Sequence, residues 1–271
     1  MAVLCFNVFN ESAWFGAAPD LRRQIRAAAA AGFEAIGLDV YSLAAHAQAG
    51  GRIDDVAGWI DAAGLRCAEI AALMISPEPA EVDAQLAQLE PLVRALRPDW
   101  ILTNADVEPD ARAAEALRRC ADRLGAHGAR LAIEFLPFLR VRSICGALEL
   151  ALRSGSDAGV LVDSWHFFHG PDGWSELEAL PLDRLAYVQF DDHPALESDD
   201  LREETIQRRV FPGEGTFDLH RFCATLRGRG FDGLVSVEVL SKAWRGGDLE
   251  AFARRAYATS APFWTPRNSS A

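Results

Sequence analysis

One full unit of the predicted fold lies in residues 130–163, RLAIEFLPFLRVRSICGALELALRSGSDAGVLVD. An apolar run that ends at Glu134 is followed by a polar break and by an Ala- and Leu-rich helical stretch over 143–154. Gly155 then ends the helix, and a second apolar run ends at Asp163. A strand, a helix and a strand in this order predict a βαβ unit with parallel strands.

The same unit repeats along the chain. Eight strands are predicted at LCFNVF (4–9), EAIGLDV (34–40), LRCAEIAAL (65–73), WILTNA (100–105), RLAIEFL (130–136), AGVLVDSW (158–165), LAYVQF (185–190) and LVSVEVL (234–240). Helices are predicted between and after them at 20–32, 54–64, 80–96, 110–126, 143–154, 217–229 and 247–260, with a weaker helical turn near 174–180. The apolar runs are continuous rather than alternating, as expected for strands that are covered on both faces.

Eight such units within 271 residues predict an α/β fold, a single (β/α)₈ TIM barrel over 1–265, with a short C-terminal tail over 266–271 that we expect to fray. A doubly wound open sheet is the alternative. That fold usually has a glycine-rich phosphate loop after an early strand, and the sequence contains neither GxGxxG nor GxxxxGK[ST]. The pattern therefore favours the barrel.

Composition argues against several classes of function. With 27 Lys and Arg against 39 Asp and Glu, the formal net charge is −12, which disfavours a general nucleic-acid binder because phosphate binding depends on basic side chains. No apolar run approaches the roughly 20 residues that span a membrane, and the N-terminal residues lack the basic region of a signal peptide. The five cysteines are scattered, so we expect buried thiols in a reducing, cytoplasmic environment.

Polar side chains end four consecutive strands of the predicted barrel. Strands five to eight end on Glu134, Asp163, Gln189 and Glu238. The carboxyl ends of barrel strands form the catalytic rim, so we expect these four side chains to point into one mouth. A solvated strand-end side chain is the alternative for each of them.

Three carboxylates at one mouth, with no basic strand-end partner, cannot all stay ionised in a partly buried site. Either their pKa values rise or a cation neutralises them. Such an oxygen-rich site suits one divalent metal, Mg²⁺ or Mn²⁺, with Co²⁺ or Zn²⁺ as alternatives, and Gln189 would bind through its amide oxygen. His193, in FDDHP, would replace Gln189 as a ligand if the strand register were shifted.

Two further segments bring polar chemistry to the predicted mouth. His166 lies three residues after Asp163, where it can hydrogen-bond a substrate oxygen or carry a proton; a loop or core histidine is the alternative. The loop RRVFPGEGTFDL (208–219) brings Arg209 near the mouth, where an arginine can bind a carboxylate, phosphate or enolate oxygen. Its alternative role is a surface ion pair with Glu203 or Glu204. We expect the acidic segment 197–204 to be a solvated loop.

The first four predicted strands carry fewer candidate residues. Glu69 and Asn104, on strands three and four, are expected to contact substrate on the side of the pocket away from the metal, and Asp39 on strand two to line that side. Each is equally well explained as a hydrogen-bonded barrel residue. Four aromatic residues could form apolar walls of the pocket, or they could pack in the core or in a lid: Trp14, Phe15, Trp165 and Phe211.

Five short runs in this order, IEFLPF, VLVDSWH, VQFDD, RRVFPGEG and VSVEV, resemble the sugar phosphate isomerase/epimerase family, the xylose isomerase-like TIM barrels. The resemblance covers most of the chain and is best from about residue 130 to residue 240. It implies one divalent metal held by Glu134, Asp163, Gln189 and Glu238. It also implies that His166 and Arg209 contact the substrate.

The sequence departs from this family's pattern at two positions. The third metal ligand in the ketose epimerase branch is usually histidine, whereas Gln189 stands here, and a neutral amide is also typical of the related 3-dehydroshikimate dehydratases. Leu136 occupies a position where some dehydratases have a histidine. The related endonuclease IV branch holds several zinc ions with many histidines, and this chain has six, so DNA repair is set aside.

The family resemblance implies chemistry through a metal-stabilised enediolate, formed when a carboxylate removes a proton next to a carbonyl group. Glu134 and Glu238 are expected to act as base and acid and to exchange roles in the reverse direction. We therefore expect a metal-dependent isomerase or epimerase of a sugar, sugar phosphate or related hydroxy-ketone. A lyase of the 3-dehydroshikimate or inosose dehydratase type is the alternative, and a barrel that binds sugar or metal without turnover is a third. The apolar segment 256–264 is expected to pack either on a partner subunit of a homo-oligomer or on the floor of the barrel.

Overall fold

The computed structural model describes residues 2–76 and 78–265, which form a closed barrel of parallel strands. The strands are β1 (Val3–Asn7), β2 (Ala35–Asp39), β3 (Arg66–Ile75), β4 (Trp100–Ala105), β5 (Arg130–Glu134), β6 (Gly159–Asp163), β7 (Leu185–Phe190) and β8 (Leu234–Val237). Each strand pairs with its neighbours in chain order, and β8 closes the ring on β1. The predicted (β/α)₈ barrel is confirmed, and the open-sheet alternative is wrong.

Helices surround the barrel. They are α1 (Leu21–Ala31), α2 (Val40–Gln48), α3 (Ile53–Ala62), α4 (Pro79–Leu96), α5 (Ala111–Gly125), α6 (Ile144–Ser154), α7 (Ser164–His169), α8 (Trp174–Ala179), α9 (Leu201–Gln207), α10 (Leu219–Gly228) and α11 (Leu249–Trp264). Every helix predicted from the sequence is present, with its ends shifted by a few residues at most. The predicted tail over 266–271 lies outside the described residues.

Three short helices, α2, α7 and α9, are missing from the sequence prediction. Asp39 and Asp163 end β2 and β6 and at once act as N-caps, so α2 and α7 begin without an intervening loop. α9 occupies part of the acidic segment 197–204, which is therefore not only a solvated loop, and Glu204 is buried there. Helices of two turns are too short to show a clear apolar periodicity.

Capping residues set the ends of the long helices. The side chain of Asp20 accepts a hydrogen bond from the backbone N–H of Arg23 at the start of α1, and Asp110 does the same for two N–H groups of α5. Loss of such a cap typically costs about 0.5–2 kcal/mol. Gly32 ends α1 with a φ of 103°, a conformation that glycine adopts without steric penalty.

Apolar side chains pack both between the strands and the helices and inside the barrel. The interior cluster contains mostly small or aliphatic residues, among them Cys5, Ala35, Leu102, Ala132 and Leu161. All residues of β2, β6, β7 and β8 are buried, as the continuous apolar runs predict. Polar side chains at the carboxyl ends of the strands therefore stand out against an apolar barrel.

Two smaller expectations can be compared with the fold. Four of the five cysteines are buried thiols, whereas Cys145 at the start of α6 is exposed. The segment 256–264 lies in α11, which packs on α1, and Trp264 contacts the ring of Phe190. Among the helices in the described ranges, none has the length and apolar character needed to cross a membrane.

Candidate active site

A cavity of about 360 Å³ opens at the carboxyl ends of the strands. Its lining includes five of the site residues predicted from the sequence, Asn104, Glu134, His166, Arg209 and Glu238. Two more, Asp163 and Gln189, are fully buried and contact members of this group. The structure therefore gathers the predicted residues of β4 to β8 at one mouth.

Glu134, Asp163 and His166 each offer a donor atom, and the three atoms lie within 4.8 Å of one another. Asp163 Oδ1 accepts the backbone N–H groups of Trp165 and His166 at 2.6 and 3.3 Å, so this carboxylate fixes the first turn of α7. That turn places His166 Nε2 at 3.4 Å from Glu134 Oε1 and 3.9 Å from Asp163 Oδ2. His166 thus belongs to a short helix rather than to the predicted loop.

Asn104 orients one of these carboxylates. Its Nδ2 donates a hydrogen bond of 2.7 Å to Glu134 Oε2, and the residue also lines the cavity. Asn104 therefore hydrogen-bonds another side chain of the protein, whereas the sequence predicts that it contacts the substrate.

The guanidinium of Arg209 lies among the carboxylates and is only 1% exposed. Its Nη1 lies 2.8 Å from Asp163 Oδ2 and 3.3 Å from Glu238 Oε2, and it also donates to Asp191 Oδ2. Its Nε and Nη2 donate to Thr205. The basic partner of these carboxylates thus comes from the 208–219 loop, as its predicted position near the mouth allows, and not from a strand end.

Asp191 also belongs to this cluster, although the sequence pattern did not single it out. It follows Gln189 by two residues, and side chains two apart along an extended chain share a face. The acidic pair in VQFDD was therefore the available signal. Arg209 likewise forms its ion pairs inside the cluster rather than with the surface glutamates considered as alternatives.

Gln189 bridges β7 and β8. Its Nε2 donates to Glu238 Oε1 at 3.1 Å, while its Oε1 has no hydrogen-bond partner among the described residues although the side chain is fully buried. A buried amide oxygen without a partner costs about 1–3 kcal/mol. A cation would satisfy this oxygen, and carboxylate oxygens with one amide oxygen or one imidazole form a donor set that suits divalent ions.

Burial shifts the pKa values of several groups in the cluster. It raises the pKa of Glu238 well above that of an ordinary glutamate, because the opposing effect of Arg209 is outweighed and Glu134 and Asp163 add to the increase. Burial also raises the pKa of Asp191 well above its usual range, against the effect of Arg209. Burial disfavours the charged guanidinium, yet the surrounding carboxylates raise the pKa of Arg209 overall. The single positive charge of Arg209 therefore does not balance the negative charge that Glu134, Asp163, Asp191 and Glu238 would carry if all four were ionised.

Asp192 anchors the loop that supplies Arg209. Its Oδ2 accepts the backbone N–H groups of Gly213 and Gly215 at 3.0 Å each, and its Oδ1 accepts that of Phe217 at 3.1 Å. A Cβ atom at position 215 would clash with Asp192, so glycine is required for this close approach. The turn predicted at PGEG (212–215) is therefore held in place by the buried carboxylate of Asp192.

Glu69 and Asp39 lie away from the cavity lining. Glu69 is fully buried in the barrel interior, where its Oε1 accepts hydrogen bonds from Asn7 Nδ2 at 2.9 Å and from the Ser236 hydroxyl. Asp39 accepts the backbone N–H of Ser42 and caps α2. Both residues are thus hydrogen-bonded within the barrel. The structure therefore does not support the predicted contact between Glu69 and the substrate.

His193 lies outside the donor group. It is fully buried, its ring contacts those of Trp165 and His169, and its Nε2 lies 3.4 Å from Glu204 Oε2. Gln189 pairs with Asp163 in the sheet, so the register shift that would make His193 a ligand does not occur. Burial lowers the pKa of His193, and it lowers that of His169 to about 4.

The aromatic residues divide between cavity and core. Trp14 lines the cavity and packs edge-on against Phe15. Trp165 and Phe211 are buried. One of the four candidates for a pocket wall therefore reaches the cavity directly.

The comparisons with known proteins agree with the barrel fold described above. The model of the family described as xylose isomerase-like TIM barrel matches residues 25–261. The 3-dehydroshikimate dehydratase of Pseudomonas aeruginosa is 31% identical over 167 residues, which are 59% of this chain and 26% of that protein. The inosose isomerase of Bacillus licheniformis is 29% identical over 132 residues, which are 48% of this chain and 46% of that protein. The aligned regions thus cover about a quarter to a half of these two relatives.

A solved structure shares the fold over nearly the whole chain. The crystal structure of the IOLI protein with a bound zinc atom superposes with a TM-score of 0.85, at 19% identity, covering 98% of this chain and 100% of that one. At 19% sequence identity, this similarity shows a shared fold and no more.

Proposed function

Because the chain belongs to the xylose isomerase-like TIM barrel family, we propose that it is a divalent-metal-dependent isomerase or epimerase of a sugar or related hydroxy-ketone. The observation that carries the proposal is the convergence of Glu134, Asp163 and His166, whose donor atoms lie within 4.8 Å of one another beside the cavity. The similarity to the inosose isomerase of Bacillus licheniformis supports the isomerase reaction.

Four side chains would hold the metal, namely Glu134, Asp163, Gln189 and Glu238, and His166 would lie beside the first two and face the substrate. The unpartnered Oε1 of Gln189 and the excess of buried acids over Arg209 are the features that fit a cation. A divalent ion supplies Lewis acidity, which stabilises negative charge developing on a carbonyl oxygen. Mn²⁺ and Mg²⁺ suit these oxygen ligands, with Co²⁺ and Zn²⁺ as alternatives.

Glu134 and Glu238 would move the substrate protons. Both line the cavity and both are 6% exposed, and they end β5 and follow β8, so they meet a bound substrate from different sides. One carboxylate would remove the proton next to the carbonyl group and the other would return it. Return to the same carbon gives an epimer, and return to the neighbouring carbon gives an isomer.

The neighbouring residues keep these two carboxylates in position. Asn104 donates to Glu134, while Gln189 and Arg209 donate to Glu238. His166 Nε2 lies beside Glu134, and its Nδ1 has no hydrogen-bond partner in the part of the chain that the structure describes. This histidine would therefore bind a substrate oxygen or pass a proton.

A dehydratase is the second candidate. The amide of Gln189 and the 31% identity to the 3-dehydroshikimate dehydratase of Pseudomonas aeruginosa favour it. Such a lyase would remove the same proton and then expel a hydroxyl group from the neighbouring carbon. The two reactions differ in the product and share the residues that start them.

Calorimetric titration with Mn²⁺ tests the proposal. We expect one ion per chain for the wild type and no measurable binding for the double variant Glu134→Gln, Asp163→Asn. Glu178→Gln, an exposed residue of α8, is the matched control and should bind normally. Unchanged binding by the double variant would exclude this metal site.

A product assay distinguishes the two candidate reactions. Ketoses, inososes and 3-dehydroshikimate are incubated with the Mn²⁺-loaded protein and followed by proton NMR and ultraviolet absorption. Interconversion of epimers or isomers supports the first candidate. An ultraviolet-absorbing product with loss of water would favour the lyase.

A further inference from the structure

One wall of the cavity takes no part in the proposed reaction. It is formed by residues of the β1 to β3 side, Phe9, Trp14, Tyr41, Ala71 and Ala72. In the closed ring these segments lie across from β5 to β7, which supply Glu134 and Asp163. A substrate held at its reactive end by the carboxylates therefore presents its other end to an apolar and aromatic wall.

Trp14 is the exposed centre of this wall. Its side chain is 46% exposed, and its ring stacks on Phe9 at 5.8 Å and meets Phe15 edge-on at 4.6 Å. The guanidinium of Arg245 lies 3.3 Å from the Phe15 ring, and the Ser12 hydroxyl accepts the backbone N–H of Trp14 at 3.0 Å. The platform is thus held in place before a ligand binds, and an exposed apolar patch that continues into a polar cavity marks a binding surface.

The wall offers few partners to hydroxyl groups. Among the described lining residues other than the carboxylates, their hydrogen-bond partners and His166, the polar side chains are those of Tyr41, Arg202 and Thr205, and Trp14 adds one indole N–H group. The Thr205 hydroxyl already accepts from Arg209, and the Arg202 guanidinium lies 4.7 Å from the Phe138 ring. A polyol chain lying along this wall would lose hydrogen bonds to water and would find few protein groups to replace them, which opposes its binding.

We propose that the substrate is a hydroxy-ketone with an aromatic substituent. The ring packs on Trp14 while the ketone end lies between Glu134 and Glu238. This inference rests on the proposed function for the position of the reactive end, and it adds the class of compound that the cavity selects.

Binding of two probes to the Mn²⁺-loaded protein tests the inference. The probes are 2-hydroxyacetophenone and D-fructose, titrated by calorimetry. We expect the aromatic ketone to bind about tenfold more tightly than D-fructose, the gain typical of one good aromatic contact. Equal or tighter binding of D-fructose, or no binding of the aromatic ketone at millimolar concentration, would overturn the inference.

Variants at position 14 locate the contact. Trp14→Ala should weaken the aromatic ketone about tenfold and leave D-fructose unchanged, and Trp14→Phe should restore most of the loss. Leu152→Ala, at a leucine 55% exposed on α6, is the control for removal of a surface apolar side chain. An equal loss for both probes in Trp14→Ala, or no loss for either, would contradict the assignment.

The titration with Mn²⁺ separates this inference from the function on which it rests. Normal metal binding with a preference for D-fructose would overturn the substrate class and leave the metal-dependent enzyme intact. A preference for the aromatic ketone in a protein that binds no Mn²⁺ would support the substrate class and remove the proposed metal chemistry.

Discussion

The two halves of the barrel mouth differ in chemistry although they are built from the same strand–helix unit. Around β5 to β8 the cavity is lined by carboxylates, a histidine and a buried arginine. Around β1 to β3 it is lined by aromatic side chains and alanines. We call these the acidic half and the aromatic half. Under the proposed function, one half would carry the reaction and the other would select the substrate.

The polar residues of the two halves also differ in what surrounds them. Asp39 and Glu69, on the aromatic side, are fully buried and hydrogen-bonded to serine or asparagine, away from the cavity. Glu134 and Glu238, on the acidic side, reach the cavity and lie in one charged cluster. A strand-end carboxylate is therefore a functional candidate where it reaches the cavity or, like Asp163, contacts the residues that line it.

The largest expected effect is the loss of proton transfer in Glu238→Gln. If the acidic half carries the reaction, exchange of solvent deuterium into the carbon next to a ketone should fall about 10²–10⁴-fold, the usual contribution of a general base. Proton NMR of the bound hydroxy-ketone measures the rate, and circular dichroism checks the fold. Glu178→Gln is again the control, and normal exchange in Glu238→Gln would assign the base elsewhere.

The next effect concerns the charge balance of the acidic half. Arg209→Met should destabilise the metal-free protein by about 3–5 kcal/mol, because it leaves buried carboxylates without their counter-ion. Urea denaturation with and without Mn²⁺ measures the change. We expect Mn²⁺ to recover part of the loss. Equal stability of variant and wild type without metal would mean that protonation, not Arg209, neutralises the cluster.

A smaller effect is expected for the anchor of the arginine loop. Asp192→Ala removes a buried carboxylate that accepts three backbone N–H groups of the loop, and should cost about 1.5–3 kcal/mol, as for hydrogen bonds to a charged group. Urea denaturation gives the stability, and trypsin cleavage after Arg208 or Arg209 reports opening of the loop. Asp199→Ala, at an exposed position, is the control. Unchanged protease resistance would show that the loop does not depend on Asp192.

The sequence predicts the acidic half better than the aromatic half for a physical reason. A carboxylate that ends an apolar run is costly to bury, so Glu134, Asp163 and Glu238 stand out in the pattern. An aromatic residue packs equally well in a core or a cavity wall, and Trp14 and Phe211 look alike until the structure separates them.

The position of Arg209 could not be predicted from local sequence. It lies 46 residues after Asp163 along the chain, and its contact depends on how the 208–219 loop folds back over the barrel mouth. Asp192, which holds this loop through the backbone N–H of Gly215, lies outside the loop and 23 residues before Gly215 along the chain. The fold itself was predictable because each strand and helix carries its own periodicity and caps.

The smallest effect tests the contrast between buried carboxylates of the two halves. Burial raises the pKa of Glu69, and the hydrogen bonds from Ser236 and Asn7 oppose the shift only in part. The folded protein therefore holds a proton on Glu69 that the unfolded chain releases above about pH 4.3, so this residue lowers stability as the pH rises. Glu69→Gln keeps the shape and removes the titration.

We expect the cost of this substitution to be about 1 kcal/mol at pH 4, the net value of one ordinary hydrogen bond, and to shrink as the pH increases to 8. Urea denaturation of wild type and variant at a series of pH values measures the difference, with Glu178→Gln as the control for loss of an exposed carboxylate. A cost that grows with pH would mean that Glu69 is ionised in the folded protein. In that case the aromatic half also holds a buried negative charge, and the two halves would differ in access to the cavity rather than in charge.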